Sequence, residues 1–175
     1  MIDFSLLNCR AVCGEDENFL FELYASTRAE ELDAWGWNQS QREAFLQMQF
    51  KAQRWSYQIN FPQAEHQIVE YCHRPVGSIL VNRRPTEILL LAIALLPKYR
   101  NQGIGTHLVQ TLLDEATQNH QIVRLQVIWH NRAFHLYERL GFYKTSYTTS
   151  HIQMEWQLSK ASSFTISHKS ISSRS

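Results

Sequence analysis

Arg100, Gly103 and Gly105, in the spacing R-x-x-G-x-G, are the residues of this 175-residue chain whose types and spacing best suit the binding of an anion. The segment that follows has helical period, and the first amides of a helix lack intrahelical partners. They point, with the positive end of the helix dipole, at whatever precedes them. Gly103 and Gly105 can take backbone angles closed to other residues and leave no side chain between those amides and a phosphate, while Asn101 tolerates a left-handed conformation. Arg100 adds a fixed positive charge. Two commoner phosphate loops are excluded by counting. A dinucleotide fingerprint needs glycine where Leu108 stands and an acidic ribose ligand in the stretch Ile122 to Trp129, which has none. A nucleotide-triphosphatase loop needs Gly-Lys-Ser/Thr, and none follows.

A second block, HNRAFHLYERLGF, occupies residues 130–142. Together the two blocks resemble the GNAT superfamily of acyl-CoA-dependent N-acyltransferases, whose pyrophosphate loop reads R/Q-x-x-G-x-G/A and whose later segment reads N-x-A-x-x-L-Y-x-x-x-G-F. Asn131, Ala133, Leu136, Tyr137, Gly141 and Phe142 fill every specified position of the later segment. The resemblance runs from Asn8 to Leu158 and is most specific over residues 88–142.

That resemblance implies an α/β (α+β) fold with a mixed, mostly antiparallel central sheet flanked by helices. It implies acetyl-CoA, or another acyl-CoA, as co-substrate, lying in a gap between the strand Ile88 to Leu96 and the strand Val123 to Trp129. The loop Arg100, Asn101, Gln102, Gly103, Ile104, Gly105 and Thr106 would hold the pyrophosphate, mostly through main-chain amides. Backbone groups around Ile93 and Leu95 would pair with the pantetheine arm as an added strand would, and an amide near Ile93 would face the oxyanion. Tyr137 would supply the proton to the departing thiolate; a phenol with a pKa of about 10 is protonated at neutral pH. Asn131 would hydrogen-bond the pantetheine or cap the helix it begins, two compatible roles.

The base and the acceptor site are less constrained. Glu87, at the start of the central strand, is a candidate base, with Glu31 and Glu70 as others acting through water. In this family the segment between the first two helices roofs the acceptor pocket, which puts Arg28, Glu31, Trp35, Trp37, Gln49 and Phe50 near the amine. Aromatic walls suit an apolar or cationic acceptor, and the same tryptophans also suit a core junction. The expected reaction is acyl transfer from CoA to a small-molecule or peptide amine by direct attack. An acyl-CoA-binding sensor without turnover is the first alternative, and an acyltransferase acting on aminoacyl-tRNA the second.

These residues need positioning elements. The apolar run Ile88 to Leu96, before a proline and a glycine turn, reads as a strand buried on both faces. After the turn, Leu108, Val109, Leu112, Leu113 and Ala116 recur on one face of a helix. Upstream, Asn8 to Cys13 reads as a strand and Glu15 to Arg28 as a helix. A capping box at Ser40 and Glu43 predicts a second helix from Gln41 that turns Phe45, Met48, Ala52 and Trp55 inward. His66 to Cys72 and Val76 to Arg83 read as strands joined by a His73-Arg74-Pro75 turn. Downstream come a strand at Val123 to Trp129, a helix at Asn131 to Leu140, and a hairpin of Tyr143 to Thr149 with Ile152 to Leu158.

Composition bounds the function class. With 44% hydrophobic and 19% charged residues, the chain has the balance of one globular domain, expected over residues 1–158, followed by a serine-rich, disordered tail at 159–175. Seventeen Lys plus Arg against sixteen Asp plus Glu leave a net charge of +1, which argues against a nucleic-acid partner; a homodimer is compatible. No apolar run is long enough to span a bilayer, and the start does not resemble a secretory signal. Cys9, Cys13 and Cys72 form no framework, which suits reduced thiols in a cytoplasm. The spacing of His130 and His135 predicts no metal site.

Overall fold

The computed structural model describes residues 1–33 and 36–158; Trp35 and the tail 159–175 lie outside the described residues. Seven strands form one hydrogen-bonded sheet in the order β1-β2-β3-β4-β5-β7-β6. They are β1 Leu7–Ala11, β2 Glu65–Tyr71, β3 Arg74–Arg83, β4 Glu87–Leu95, β5 Ile122–Ile128, β6 Tyr143–Tyr147 and β7 His151–Trp156. Four α-helices accompany them: α1 Glu17–Asp33, α2 Gln39–Asn60, α3 Ile104–Gln118 and α4 Ala133–Arg139. The β1/β2, β2/β3, β5/β7 and β6/β7 ladders are antiparallel, and β4/β5 is parallel. The fold is the mixed, mostly antiparallel α/β class expected from the resemblance.

The chain gathers into two compact units, one of Met1–Asn82 with Ala92–Gly105, the other of Arg83–Leu91 with the chain from Thr106 onward. In the first unit, α1 runs five residues further than the period of its apolar residues suggests, to Asp33 rather than Arg28. No glycine or proline interrupts residues 29–33, and Leu32 is 2% exposed, so burial extends the helix. The box that opens α2 is not Ser40–Glu43. Asn38 Oδ1 accepts the Gln41 N–H at 2.9 Å and Gln41 Oε1 accepts the Asn38 N–H at 3.1 Å. The reciprocal logic is the same, but asparagine caps as well as serine, and the box it forms places the first turn earlier.

The buried face of α2 also differs from expectation. Leu46 and Phe50 are buried, whereas Met48, Ala52 and Trp55 are exposed, Trp55 at 66%. Two apolar stripes wind around this helix, and α1 selects between them. Phe50 sits in a cluster with Leu20 and Ile68, its ring 5.6 Å from those of Phe21 and Tyr24. Phe45, half-buried, stacks edge-on against Trp37 at 5.2 Å.

The β2–β3 turn is shorter than the sequence suggests. Cys72 and His73 both take positive φ, 51° and 60°, and Pro75 lies within β3 opposite Glu70, beside a bulge at Val69/Glu70. A proline has no N–H for the ladder, and the bulge accommodates it. Further along β3, Gly77 meets the end of β4. A Cβ there would lie 2.4 Å from the Ala94 carbonyl oxygen and 2.6 Å from Leu95 Cδ2. Gly77→Ala is therefore expected to lower stability by about 1–3 kcal/mol through overpacking, read as a lower urea midpoint at unchanged slope; an unaltered midpoint would show that the strands separate freely here.

Charge is neutralised locally in this unit. Arg10 bridges Asp16 (2.7 Å) and Glu70 (2.7 Å), and Asp16 Oδ2 also accepts the Cys13 N–H. The guanidinium holds the Asp16 carboxyl well below the usual carboxylate range.

In the second unit Leu108, Val109, Leu112, Leu113 and Ala116 of α3 are buried, as are Val123, Leu125 and Val127 of β5 and Ile152, Met154 and Trp156 of β7. Strict alternation along β5 and β7 puts these side chains on one face. Among the described residues no helix is long and apolar enough to cross a membrane.

Candidate active site

The strand expected to be buried on both faces is buried only in part. In β4, Ile88 and Leu90 are buried, and Leu91 through Leu95 are half-buried. The parallel register with β5 runs from Glu87↔Ile122 to Leu90↔Leu125, while β4 itself continues to Leu95. In that continuation the Leu96 N–H bonds the Val76 carbonyl of the β3 segment, and the Ala94 carbonyl faces Gly77. Backbone groups alternate in direction along a strand, so Leu95, between Ala94 and Leu96, presents its own on the edge away from β3.

Beyond the strand, Pro97–Tyr99 makes one 3-10 turn and the loop reverses through Asn101 (φ 59°) and Gly103 (φ 87°) into α3 at Ile104. Asparagine and glycine are the residues that tolerate those angles, so the local sequence dictates the turn. Asn101, Gln102, Gly103 and Thr106 are exposed and Gly105 half-buried, whereas Ile104 is fully buried and anchors the helix start. A Cβ on Gly103 would lie 3.2 Å from Phe4 Cζ, so the N-terminal 3-10 turn Phe4–Leu6 flanks the loop.

Arg100 does not project freely. Its Nε donates to the Leu95 carbonyl at 2.8 Å, and its Nη2 donates to Ser26 Oγ at 3.0 Å and the Ser26 carbonyl at 3.3 Å. Of the two groups Leu95 turns to the free edge, the carbonyl is thus already occupied. Ser26 and Gly77 carry no motif that marks them for this role. Only the isolated glycine within a strand pattern signals a close backbone approach.

In the second unit, Tyr137 is 5% exposed, its ring edge-on to Phe142 at 5.6 Å. Gly141, at φ 92°, ends α4 and turns Phe142 back, so that its N–H bonds the Tyr137 carbonyl at 3.0 Å. Burial pushes the Tyr137 phenol up to about 12, and among the described residues none hydrogen-bonds its hydroxyl. Asn131 stands one residue before the Arg132 N-cap of α4 and does not begin the helix: its Oδ1 accepts the Ala133 N–H at 2.9 Å, and the residue is exposed.

All three carboxylates considered as bases are ion-paired. Glu87 accepts from Arg84 at 2.9 Å and from Arg124, which also bonds Glu155 at 2.9 Å. Glu70 is held by Arg10. Glu31 is bound through both oxygens by Arg28, at 2.7 and 3.1 Å, and Arg28 also donates to the Tyr24 hydroxyl at 3.0 Å. Of the acceptor-site residues expected between α1 and α2, Arg28 and Glu31 therefore form one neutral pair. Gln49 is half-buried, Trp37 packs on Phe45, and Phe50 is core. Among the described residues no group of three or more His, Cys, Asp or Glu could hold a metal ion.

Three solved structures illustrate the fold's likeness. The PaiA N-acetyltransferase of Thermoplasma acidophilum, in complex with coenzyme A, superposes with a TM-score of 0.66 at 18% identity, covering 86% of this chain and 98% of its own. A GCN5-related N-acetyltransferase of Rhodopseudomonas palustris gives 0.63 at 17%, covering 90% and 99%. The spermidine N-acetyltransferase of Vibrio cholerae, with CoA and spermine, gives 0.61 at 19%, covering 90% and 98%. At such identities the likeness speaks for the fold alone. The sequence itself matches the acetyltransferase (GNAT) family model over residues 21–142, a span that includes the glycine loop, β5 and the Tyr137 helix. With more than half of its length matched and the fold in agreement, the chain belongs to the GNAT acetyltransferase family.

Proposed function

We propose that this protein transfers an acetyl group from acetyl-CoA to an amine by direct attack on the thioester. The observation that carries the reading is the end of β4: an apolar strand that outruns its parallel ladder and feeds a loop that turns through Asn101 and Gly103, both at positive φ and both exposed, into the start of α3. The amides of Gln102, Gly103, Ile104 and Gly105 would take the pyrophosphate, and the free edge at Ile93 and Leu95 the pantetheine. Because the Leu95 carbonyl is held by Arg100, the pairing there would use the Leu95 N–H. An amide near Ile93 would then stabilise the oxyanion of the tetrahedral intermediate.

The reading assigns the leaving thiolate to Tyr137. At about 12 its phenol is fully protonated at neutral pH, and a CoA thiol, with a pKa of about 8.5 like that of cysteine, is the stronger acid of the two. Tyr137 would donate a hydrogen bond as charge builds on sulfur; the proton that the attacking nitrogen sheds on becoming an amide balances the one the thiolate takes up, so the phenol ends the cycle protonated. Asn131, with Oδ1 committed to the Ala133 N–H, retains its NH2 group for the pantetheine. The pairing of Glu31, Glu70 and Glu87 with arginines disfavours each as base, so an acceptor amine that is already partly neutral fits best, as an α-amine near about 8 would be. The same pairing is the one observation favouring a second reading, an acyl-CoA sensor without turnover.

Calorimetric titration with acetyl-CoA, followed by free-thiol release in the presence of spermidine, lysine and an α-amino peptide, tests both. Binding with amine-dependent release supports transfer; binding with no release from any amine supports the sensor. A folded protein that does not bind acetyl-CoA overturns both.

A further inference from the structure

We infer that Arg100 is a positioning residue: its guanidinium ties α1 to the end of β4, so that acyl-CoA bound on that strand and loop fixes the last turns of α1. The inference rests on the acyl-CoA reading and goes beyond it, because it removes the arginine of the glycine loop from the set of phosphate ligands. Two of the three guanidinium nitrogens are turned inward. Nε holds the Leu95 carbonyl, and Nη2 reaches both the hydroxyl and the carbonyl of Ser26. Ser26 in turn donates its hydroxyl to the Leu23 carbonyl at 2.7 Å, so its Oγ sits in a fixed rotamer that accepts from arginine.

The tie spans a large separation in sequence and joins two places with different work. On one side is the strand edge at Leu95 and, directly after Arg100, the turn at Asn101. On the other is the helix that carries Arg28 and Glu31 one turn beyond Ser26. A ligand that immobilises the strand edge and the loop immobilises Arg100 between them, and with it the Ser26 turn of α1. Local opening of that end of the helix then costs more. Lysine cannot reproduce the arrangement, since it lacks the planar fork that meets a carbonyl on one side and a serine on the other.

The test compares Ser26→Ala, Arg100→Ala, Arg100→Lys and the Ser26→Ala/Arg100→Ala double variant, each checked for folding by its thermal melt. CoA affinity is measured by calorimetry, and hydrogen exchange is followed at amides 27–33 with and without saturating CoA. CoA is expected to slow exchange there in the wild type, less in Ser26→Ala, which keeps the Ser26 carbonyl as a partner of Arg100, and not in the Arg100 variants. Each single variant is expected to weaken CoA by about tenfold, the scale of one charge-assisted hydrogen bond, and the double variant by no more than Arg100→Ala alone. Wild-type affinity in Arg100→Lys, or a loss in Arg100→Ala that Ser26→Ala does not share, would make Arg100 a phosphate-binding charge and overturn the tie. So would CoA binding that leaves exchange in α1 unchanged. Should Arg100→Ala fail to fold, Ser26→Ala and its exchange pattern decide. A folded wild type that does not bind CoA overturns the acyl-CoA reading itself, an outcome distinct from all of these.

Discussion

Tyr137→Phe is expected to lower turnover by about 10²–10⁴-fold while leaving acetyl-CoA affinity intact, the range lost with a positioned general acid. The substitution removes one oxygen and keeps the ring. The edge-on contact with Phe142 and the burial of Tyr137 within the second unit are preserved, so the variant should fold. Its hydroxyl makes no hydrogen bond among the described residues, so no protein partner is left unsatisfied. On the proposed reading, the lost hydroxyl is a donor to charge that exists only once sulfur begins to leave, so the effect is expected on kcat. The pH profile adds a sign. Burial raises the Tyr137 phenol to about 12, so it stays protonated through the physiological range, and an alkaline decline below that value must come from another group. Steady-state kinetics with calorimetry in parallel check the split; an unchanged kcat removes Tyr137 from the chemistry.

Gly103→Val should act on the opposite term. Valine at φ 87° is a backbone outlier, and its Cβ would also press on Phe4 Cζ at 3.2 Å. The loop must abandon its turn, and the amides of Gln102, Gly103, Ile104 and Gly105 proposed for the pyrophosphate shift with it. With two charge-assisted hydrogen bonds forfeited, CoA binding is expected to weaken by roughly 10²–10³-fold. Ile104 remains buried and continues to anchor α3, so far-UV circular dichroism should be unchanged. Binding that survives the substitution would put the pyrophosphate elsewhere on the chain. The two variants together separate affinity from turnover.

The contrast between Gly103 and Phe50 shows what the sequence makes legible. A turn is a local object. Asn101 and Gly103 stand at positive φ because those residue types take it at less cost than others, and two glycines with an arginine can be counted without knowing the fold. The strand before the loop and the helix after it follow from period and length, and the two blocks in order identify the family. Phe50 is different. It was expected near the acceptor, on a helix with two apolar stripes, and neither stripe is marked inward by spacing alone. Leu20, Phe21 and Tyr24 of α1 draw Phe50 into the core and leave Met48 and Trp55 to solvent.

Arg100, Glu87 and Glu31 extend the same point to the site. Read along the chain each is a formal charge available for an anion or a proton. In the folded protein Arg100 is bound to Leu95 and Ser26, Glu87 to Arg84 and Arg124, and Glu31 to Arg28. By itself the sequence determined the element types, the glycine-loop turn, the fold class and the family, because these depend on short-range sterics, periodicity and motif spacing. Only the tertiary structure decided which helix face is core, that β4 outruns its parallel ladder, and which charges are already spent. Those outcomes depend on residues far apart in the chain, and a charge or an apolar side chain does not carry the identity of the partner it will meet.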